Sequence, residues 1–190
     1  TESDNAAIRS TLAANPHKRK IITSRVEHPA VLTVCRELEN QGYEVAEIDV
    51  DSKGRIDMDE YEKELNEDTA IVSVMWANNE TGTIFPVEKM AEMAKAKGAI
   101  FHTDAVQAVG KIPLNLKESA IELLSLSGHK LHAPKGVGVL YVKKGTRVPP
   151  FMLGGHQESG RRAGTENTAG IIALGKACEQ AKKYMDDENT

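Results

Sequence analysis

The sequence predicts an α/β protein, a three-layer α/β/α sandwich on a mostly parallel sheet. Three observations predict it. Short apolar runs of strand length alternate with helically periodic segments along most of the 190 residues, a pattern that builds parallel strands joined by crossover helices. The polar turns follow the apolar runs, where the strand ends of such sheets open into a ligand crevice. No internal repeat or low-complexity segment interrupts the alternation, so the length fits one domain with a sizeable core.

The elements follow in order. Thr1-Glu2-Ser3-Asp4-Asn5 opens a weak helical stripe through Ala6, Ala7, Ile8 and Leu12. Thr1 or Ser3 is its expected cap, and free N–H groups at a helix start can hold an anion. Residues 20–24 read as a short buried strand. Pro29 suits a first helical turn, and that helix runs through Val31, Leu32, Val34, Cys35 and Leu38 to a stop at Gly42. Cys35 lies in the stripe and reads as core. Residues 43–50 form a second strand, residues 51–54 a turn, and an acidic-starting helix follows Ile56. Residues 68–76 are the clearest buried strand, ending in the polar turn Ala77-Asn78-Asn79-Glu80-Thr81-Gly82.

Residues 86–97 form an amphipathic helix closed by Gly98, and residues 99–104 the next strand. The run from Ile121 to Leu126 leads into Ser127-Gly128-His129-Lys130. Residues 137–142 come too soon after Lys130 for a crossover helix, so that strand is expected antiparallel. A glycine-rich polar stretch from Gly154 to Thr165 is long for a linker. Thr165 is then expected to cap a last helix, with Ile171, Ile172, Leu174, Ala177 and Cys178 on its apolar stripe. The polar residues from Met185 to Thr190 close the chain. It starts at Thr1 without methionine, in a helical pattern, which reads as a cut.

Composition excludes several partners. The formal net charge of -4 argues against nucleic acid, which needs a basic face; the cluster His17-Lys18-Arg19-Lys20 reads as a solvated loop. No apolar stretch is long enough to span a bilayer, and no signal peptide opens the chain. Cys35 and Cys178 make neither a disulfide framework nor a metal spacing, so a reducing cytoplasm is the expected location.

The chemistry centres on Lys130, just past a buried strand. Partial burial there would disfavour the ammonium and ready the amine for Schiff-base chemistry. Asp104, ending Phe101-His102-Thr103-Asp104, lies one strand-helix-strand unit upstream, so both side chains can open onto one crevice. A lysine imine and an aspartate on the pyridinium nitrogen are the pair that pyridoxal phosphate (PLP) requires. Gln107 lies one turn beyond Asp104, and His28 reads either as a crevice residue or as a structural hydrogen-bonder. Asn78 and Asn79 either make turns or offer an amide to a substrate carboxylate. Arginine, glycine and Thr165 before a helix suggest a phosphate site, against a plain mobile loop. A rival reading takes His102, Asp104, His129 and His132 as metal ligands. It lacks a helical ligand spacing and leaves Lys130 and Gln107 unexplained.

Six motifs stand in a telling order: Thr1-Glu2-Ser3, Val26-Glu27-His28, Ala77 to Gly82, His102-Thr103-Asp104-Ala105-Val106-Gln107, Ser127-Gly128-His129-Lys130 and Arg162-Ala163-Gly164-Thr165. Together they resemble the NifS/IscS cysteine desulfurases, PLP enzymes of the class V aminotransferase group. The stretch Gly154-Gly155-His156-Gln157-Glu158 looks closer to the NifS branch. The resemblance covers nearly the full length and implies the large domain of fold-type I PLP enzymes. It implies that Lys130 carries the cofactor and then acts as base and acid, that Asp104 keeps the pyridine nitrogen protonated, and that His28 stacks on the ring. Gln107 would donate to the phenolic oxygen. Thr1, Ser127 and His129 would hold the phosphate, joined by Thr165 from the partner subunit of a homodimer, and Asn79 would hold the substrate carboxylate.

The implied reaction takes L-cysteine to L-alanine, with the sulfur passed as a persulfide to an iron-sulfur scaffold or another acceptor protein. The sequence departs from the family in one respect. The family's persulfide cysteine and substrate-binding arginine lie beyond the last matched residue, and neither Cys35 nor Cys178 takes that place. The resemblance therefore implies that residues 1–190 are an incomplete PLP-binding large domain, without the N-terminal segment and C-terminal small domain. Two alternatives stand beside desulfuration: a PLP-binding or dimerisation core without turnover, and a related enzyme such as selenocysteine lyase.

Overall fold

Two strands covered on both faces form the centre of the structure. β-branched and apolar residues in β1 (Lys20–Ser24) and β3 (Thr69–Ser73) are buried at every position, as strands enclosed by two helical layers must be. The computed structural model describes residues 1–188. In chain order α1 (Glu2–Ala14) precedes β1, α2 (Pro29–Asn40), β2 (Glu44–Ile48), α3 (Met58–Glu64), β3, α4 (Val87–Ala96), β4 (Ile100–Asp104) and β5 (Leu123–Ser127). A 3-10 turn (Gly128–Leu131), β6 (Gly138–Val142), the one-turn α5 (Gln157–Gly160) and α6 (Thr168–Glu188) follow. Of the polar tail, residues 189 and 190 lie outside the described residues.

The six strands lie in the order β2-β1-β3-β4-β5-β6. The first five are parallel, and β6 pairs antiparallel with β5, as the short connection requires. Alternating side chains feed two cores. Ile21 and Ile71 pack with Ile8 and Leu12 of α1 and with Val31, Val34 and Leu38 of α2. Ile22, Val72 and Phe101 point to the other face, against Tyr61 of α3 and Met90, Ala91 and Ala94 of α4. The expected three-layer sandwich results. Because β1 is flanked by β2 on one side and β3 on the other, the winding reverses between β1 and β3 and opens a crevice at their carboxyl ends.

Helix ends follow their local chemistry. Asp57 caps α3 by accepting from Asp59 N–H and Glu60 N–H. Gly42 and Gly98 end α2 and α4 with φ of 86° and 68°, in the left-handed region that glycine enters without a Cβ penalty. Cys35 is fully buried in the α1–α2 core, where burial pushes its thiol up to about 12.

Three expectations are corrected. Strands expected at residues 43–50 and 68–76 are shorter, although the chain past Ser73 still runs beside β4 through Val74 N–H to His102 O and Trp76 N–H to Asp104 O. Thr165 does not cap the last helix. Asn167 sits just before Thr168, and its Oδ1 accepts from Gly170 N–H at 3.1 Å, satisfying a free N–H of the first turn. Finally, the stripe of α6 is buried at Leu174, while Ile171 and Ile172 are 46% and 74% exposed. Its contact with the body runs past Gly110 and Leu131, close to Ala181, so only one stretch of the helix is covered.

Candidate active site

Parallel strands place their carboxyl ends on one edge, and that edge collects the residues singled out above. His28 follows β1, Asn79 follows β3, Asp104 ends β4, Gln107 lies three residues on, and Ser127 ends β5. Register adds the connection: Asp104 pairs with Ser125, so the chain leaving β5 toward Lys130 starts beside Asp104.

Lys130 lies on the 3-10 turn after β5. That turn is anchored by Gly128, whose N–H donates to Val137 O at 2.9 Å and whose carbonyl accepts from Ala133 N–H at 3.0 Å. A Cβ on Gly128 would lie 2.8 Å from Val137 Cγ1 and 3.0 Å from Val137 O, so only glycine lets the strand end pack this closely. Lys130 itself is exposed, which corrects the expected partial burial: the turn projects it beyond the sheet edge instead of folding it under. Its side chain makes no hydrogen bond or ion pair with the described residues. Nearby Lys111, held below the usual lysine range by burial and by the Lys130 charge, donates to Gln107 Oε1 at 2.7 Å. The amide nitrogen of Gln107 is thus the end left to donate. Ser127 Oγ and His129 Nδ1 lie 2.7 Å apart.

Asp104 is nearly buried, and its Oδ1 accepts from Val106 N–H at 3.0 Å. Burial, then the Asp4 carboxylate, raises its proton affinity, while the Val106 N–H and the His28 imidazole lower it. Beneath it lies a polar layer. His102 is fully enclosed between Ser73 and Ser125, and burial pushes its imidazole down to about 4. Both ring nitrogens are thereby occupied inside the sheet. His132 closes the 3-10 turn with φ of 62°. Among the described residues no three His, Cys, Asp or Glu converge as metal ligands, so the metal reading finds no geometry here.

The two asparagines differ in their surroundings. Asn78 is buried; its Oδ1 accepts from Glu80 N–H and Thr81 N–H, both at 2.9 Å, and its Nδ2 donates to Val26 O. It builds the turn. Asn79 is exposed, with only a 3.3 Å contact from its Nδ2 to Glu80. His28 is exposed too and caps α2, its Nδ1 accepting from Ala30 N–H at 3.1 Å. Thr1 occupies the N-cap position of α1 without a side-chain capping bond. Arg162 forks onto Glu2, with Nε and Nη2 at 2.7 and 3.0 Å from its carboxylate oxygens, so the loop ending at exposed Thr165 lies against the start of α1.

Sequence reasoning missed two buried carboxyls, Asp4 and Glu27. Asp4 carried a signal, because it stands four and eight residues before Ile8 and Leu12, on the apolar face of α1. Glu27 carried none beyond its place next to His28.

These features define a three-layer α/β protein on a mostly parallel sheet, with a lysine and an aspartate at neighbouring strand ends. The chain belongs to the aminotransferase class-V family, whose profile matches residues 1–188. It is 60% identical over 190 residues to the cysteine desulfurase NifS of Azotobacter vinelandii, covering all of this chain and 47% of that one. It is 62% identical over 179 residues to a cysteine desulfurase of Nostoc sp., covering 94% of this chain and 45% of that one. The chain thus spans about half the length of the curated relatives it matches. Among solved structures, a NifS-like protein superposes with a TM-score of 0.94 at 42% identity, over 98% of this chain and 52% of the other. A structure described as SspA in complex with cysteine gives 0.88 at 38% identity, over 94% and 52%. The likeness to NifS-type desulfurases read from the motifs is borne out. Among the described residues no helix is long and apolar enough to cross a membrane.

Proposed function

We propose that this chain is the PLP-binding large domain of a cysteine desulfurase, which converts L-cysteine to L-alanine and hands the sulfur on as a persulfide. The observation that carries the reading is the pairing of Asp104 with Ser125, which brings Asp104 and the turn bearing Lys130 to one sheet edge. The residues present fit PLP. Asp104 is a nearly buried carboxyl whose proton affinity is raised, suited to sharing a proton with a ring nitrogen. Lys130 is an exposed amine without an acidic partner among the described residues. Bound there, PLP supplies an electron sink for the bonds at the substrate α-carbon.

The chain's own residues do the rest. Lys130 would hold the cofactor, and its amine would serve as the base and acid that moves a proton to and from the substrate carbon. Asp104 holds a proton at the ring nitrogen. His28 flanks the ring and Gln107 donates its amide N–H to the ring oxygen. Ser127, His129 and Thr1 take the phosphate, and Thr165 of a second copy completes that site in a homodimer. Asn79 orients the substrate carboxylate; a structural relative described in complex with cysteine supports that substrate class. The sulfur acceptor on this reading is an iron-sulfur scaffold or another acceptor protein, in a reducing cytoplasm.

A second reading has a specific observation behind it. Cys35 is sealed in the core, and Cys178 is half-buried with its thiol pushed up by burial. Neither is an activated nucleophile, which supports reading these residues as a PLP-binding or dimerisation core without sulfur release. One experiment tests the cofactor site: visible spectra with PLP, then borohydride reduction and peptide mass analysis, for wild type and Lys130→Ala. A reduced adduct on Lys130, absent from the variant, is expected. Labelling of other lysines in preference to Lys130 would overturn the assignment.

A further inference from the structure

The acid immediately before His28 has no part in this chemistry, yet it is buried at the crevice where β1 and β3 diverge. Glu27 is 5% exposed. Its Oε1 accepts from Ser24 Oγ at 2.6 Å and from Met75 N–H at 2.9 Å. Its Oε2 is fully buried and has no hydrogen-bond partner among the described residues. A carboxylate with one bare oxygen in such a place is strongly disfavoured, whereas a neutral carboxylic acid is tolerated. Asp104 and Asp4 both oppose a further negative charge there.

The two donors on Oε1 come from different strand ends. Ser24 ends β1, and Met75 follows β3 on the way to Asn79. A second bond runs the same way, from Asn78 Nδ2 to Val26 O at 3.0 Å. The turn bearing His28 is therefore laced to the chain leaving β3 at two adjacent residues, Val26 and Glu27.

Resting on the PLP reading above, we propose that Glu27 is a positioning residue: as an uncharged acid it ties the His28 turn to the end of β3 and so sets the imidazole and the Asn79 amide relative to Asp104. Ionisation strengthens the Ser24 and Met75 bonds, but it also leaves a charge on the bare, buried Oε2 beside Asp104 and Asp4; that larger cost is relieved only when the wall opens to water, which loosens the tie. The groups that face Glu27 are Ser24 from β1, the Cys35 thiol from α2, Asp4 from α1 and Asp104 from β4, with Met75 contributing its N–H. Burial is the largest cause that pushes Glu27 up to about 8. The site is thus assembled at neutral pH and loosens in mild alkali.

The test compares wild type, Glu27→Gln and Glu27→Ala. Glutamine can accept both bonds and cannot ionise; alanine can do neither. In the PLP-free protein, the Met75 amide resonance of the wild type is expected to titrate with a midpoint of about 8, and to stay still in Glu27→Gln. Its protection from hydrogen exchange should persist in the glutamine variant and vanish in the alanine variant. With PLP, wild-type affinity read from the visible spectrum should fall about tenfold between pH 7 and 9, as the neutral fraction does, while Glu27→Gln changes much less. A Met75 amide indifferent to pH in the wild type, or a glutamine variant that shares the alkaline loss, overturns the proposal. Absence of any PLP adduct overturns instead the cofactor reading beneath it, and the amide titration still reports on the tie.

Discussion

Ser73 Oγ lies 2.8 Å from His102 Nδ1, register partners on β3 and β4 in the centre of the sheet. Ser125 Oγ on β5 closes the other side at 2.9 Å. The imidazole therefore bridges three strands beneath Asp104 and has no room for hydration. Burial moves it from 6.5 to about 4. The unfolded chain takes up that proton first, so this stabilisation is complete above the unfolded value and is lost as pH falls from 6.5 toward 4. The loss amounts to about 3 kcal/mol over that window, at about 1.4 kcal/mol per pH unit. Urea unfolding at neutral pH and near pH 4.5 should show it in the wild type and show less in His102→Gln. Equal losses in both proteins would locate the acid sensitivity elsewhere.

Gly128 is the hinge of the lysine turn by shape. The substitution Gly128→Ala forces a methyl within 2.8 Å of Val137 Cγ1 and against a backbone carbonyl that cannot give way cheaply. A cost of about 1–3 kcal/mol is expected from overpacking, with the strain falling on the segment that carries Lys130. Chemical unfolding should register the first effect, and a weaker yield of reducible PLP adduct the second. An alanine variant as stable as the wild type would show that the turn can shift freely.

Asp104→Asn separates folding from cofactor chemistry. The amide oxygen can still accept the Val106 N–H, and replacing a carboxyl disfavoured by burial removes a burden from the folded state. The variant should be as stable as the wild type or more so at pH 7. Turnover in the whole enzyme should fall by about a hundredfold, the scale of a lost proton-holding group. A variant that unfolds but keeps turnover would reverse the roles.

Ile172 and Leu153 are 74% and 83% exposed, apolar side chains that nothing in the described residues covers. Concentration-dependent association is expected by sedimentation, as the proposed homodimer requires, and Ile172→Glu should weaken it. A wild-type chain that stays monomeric at high concentration would remove the shared phosphate site assigned to Thr165.

The placement of much of the candidate site was legible because its residue types sit at strand ends, and strand ends are readable from apolar runs. Lys130 after Leu126, Asp104 after Phe101 and His28 after Ser24 are of this kind. The carboxyls of Asp4 and Glu27 were not, because burial of a charge depends on which helix crosses which strand. Nor was it legible that Asn78 is buried in the turn while Asn79 is exposed, because that depends on which of them reaches Val26 O from the neighbouring strand end. The capping error at Thr165 arose because several residues before α6 could serve, and only the path of the loop brought Asn167 to Gly170 N–H.

By itself the sequence determined the alternation of strands and helices, the antiparallel last strand and the order of the motifs, since these follow from periodicity and connection length along the chain. Tertiary structure alone decided that β1 and β3 are neighbours, that Lys130 projects into solvent and that Glu27 is sealed between strand ends. Those facts depend on contacts between residues far apart in sequence, and solvation is set by such contacts.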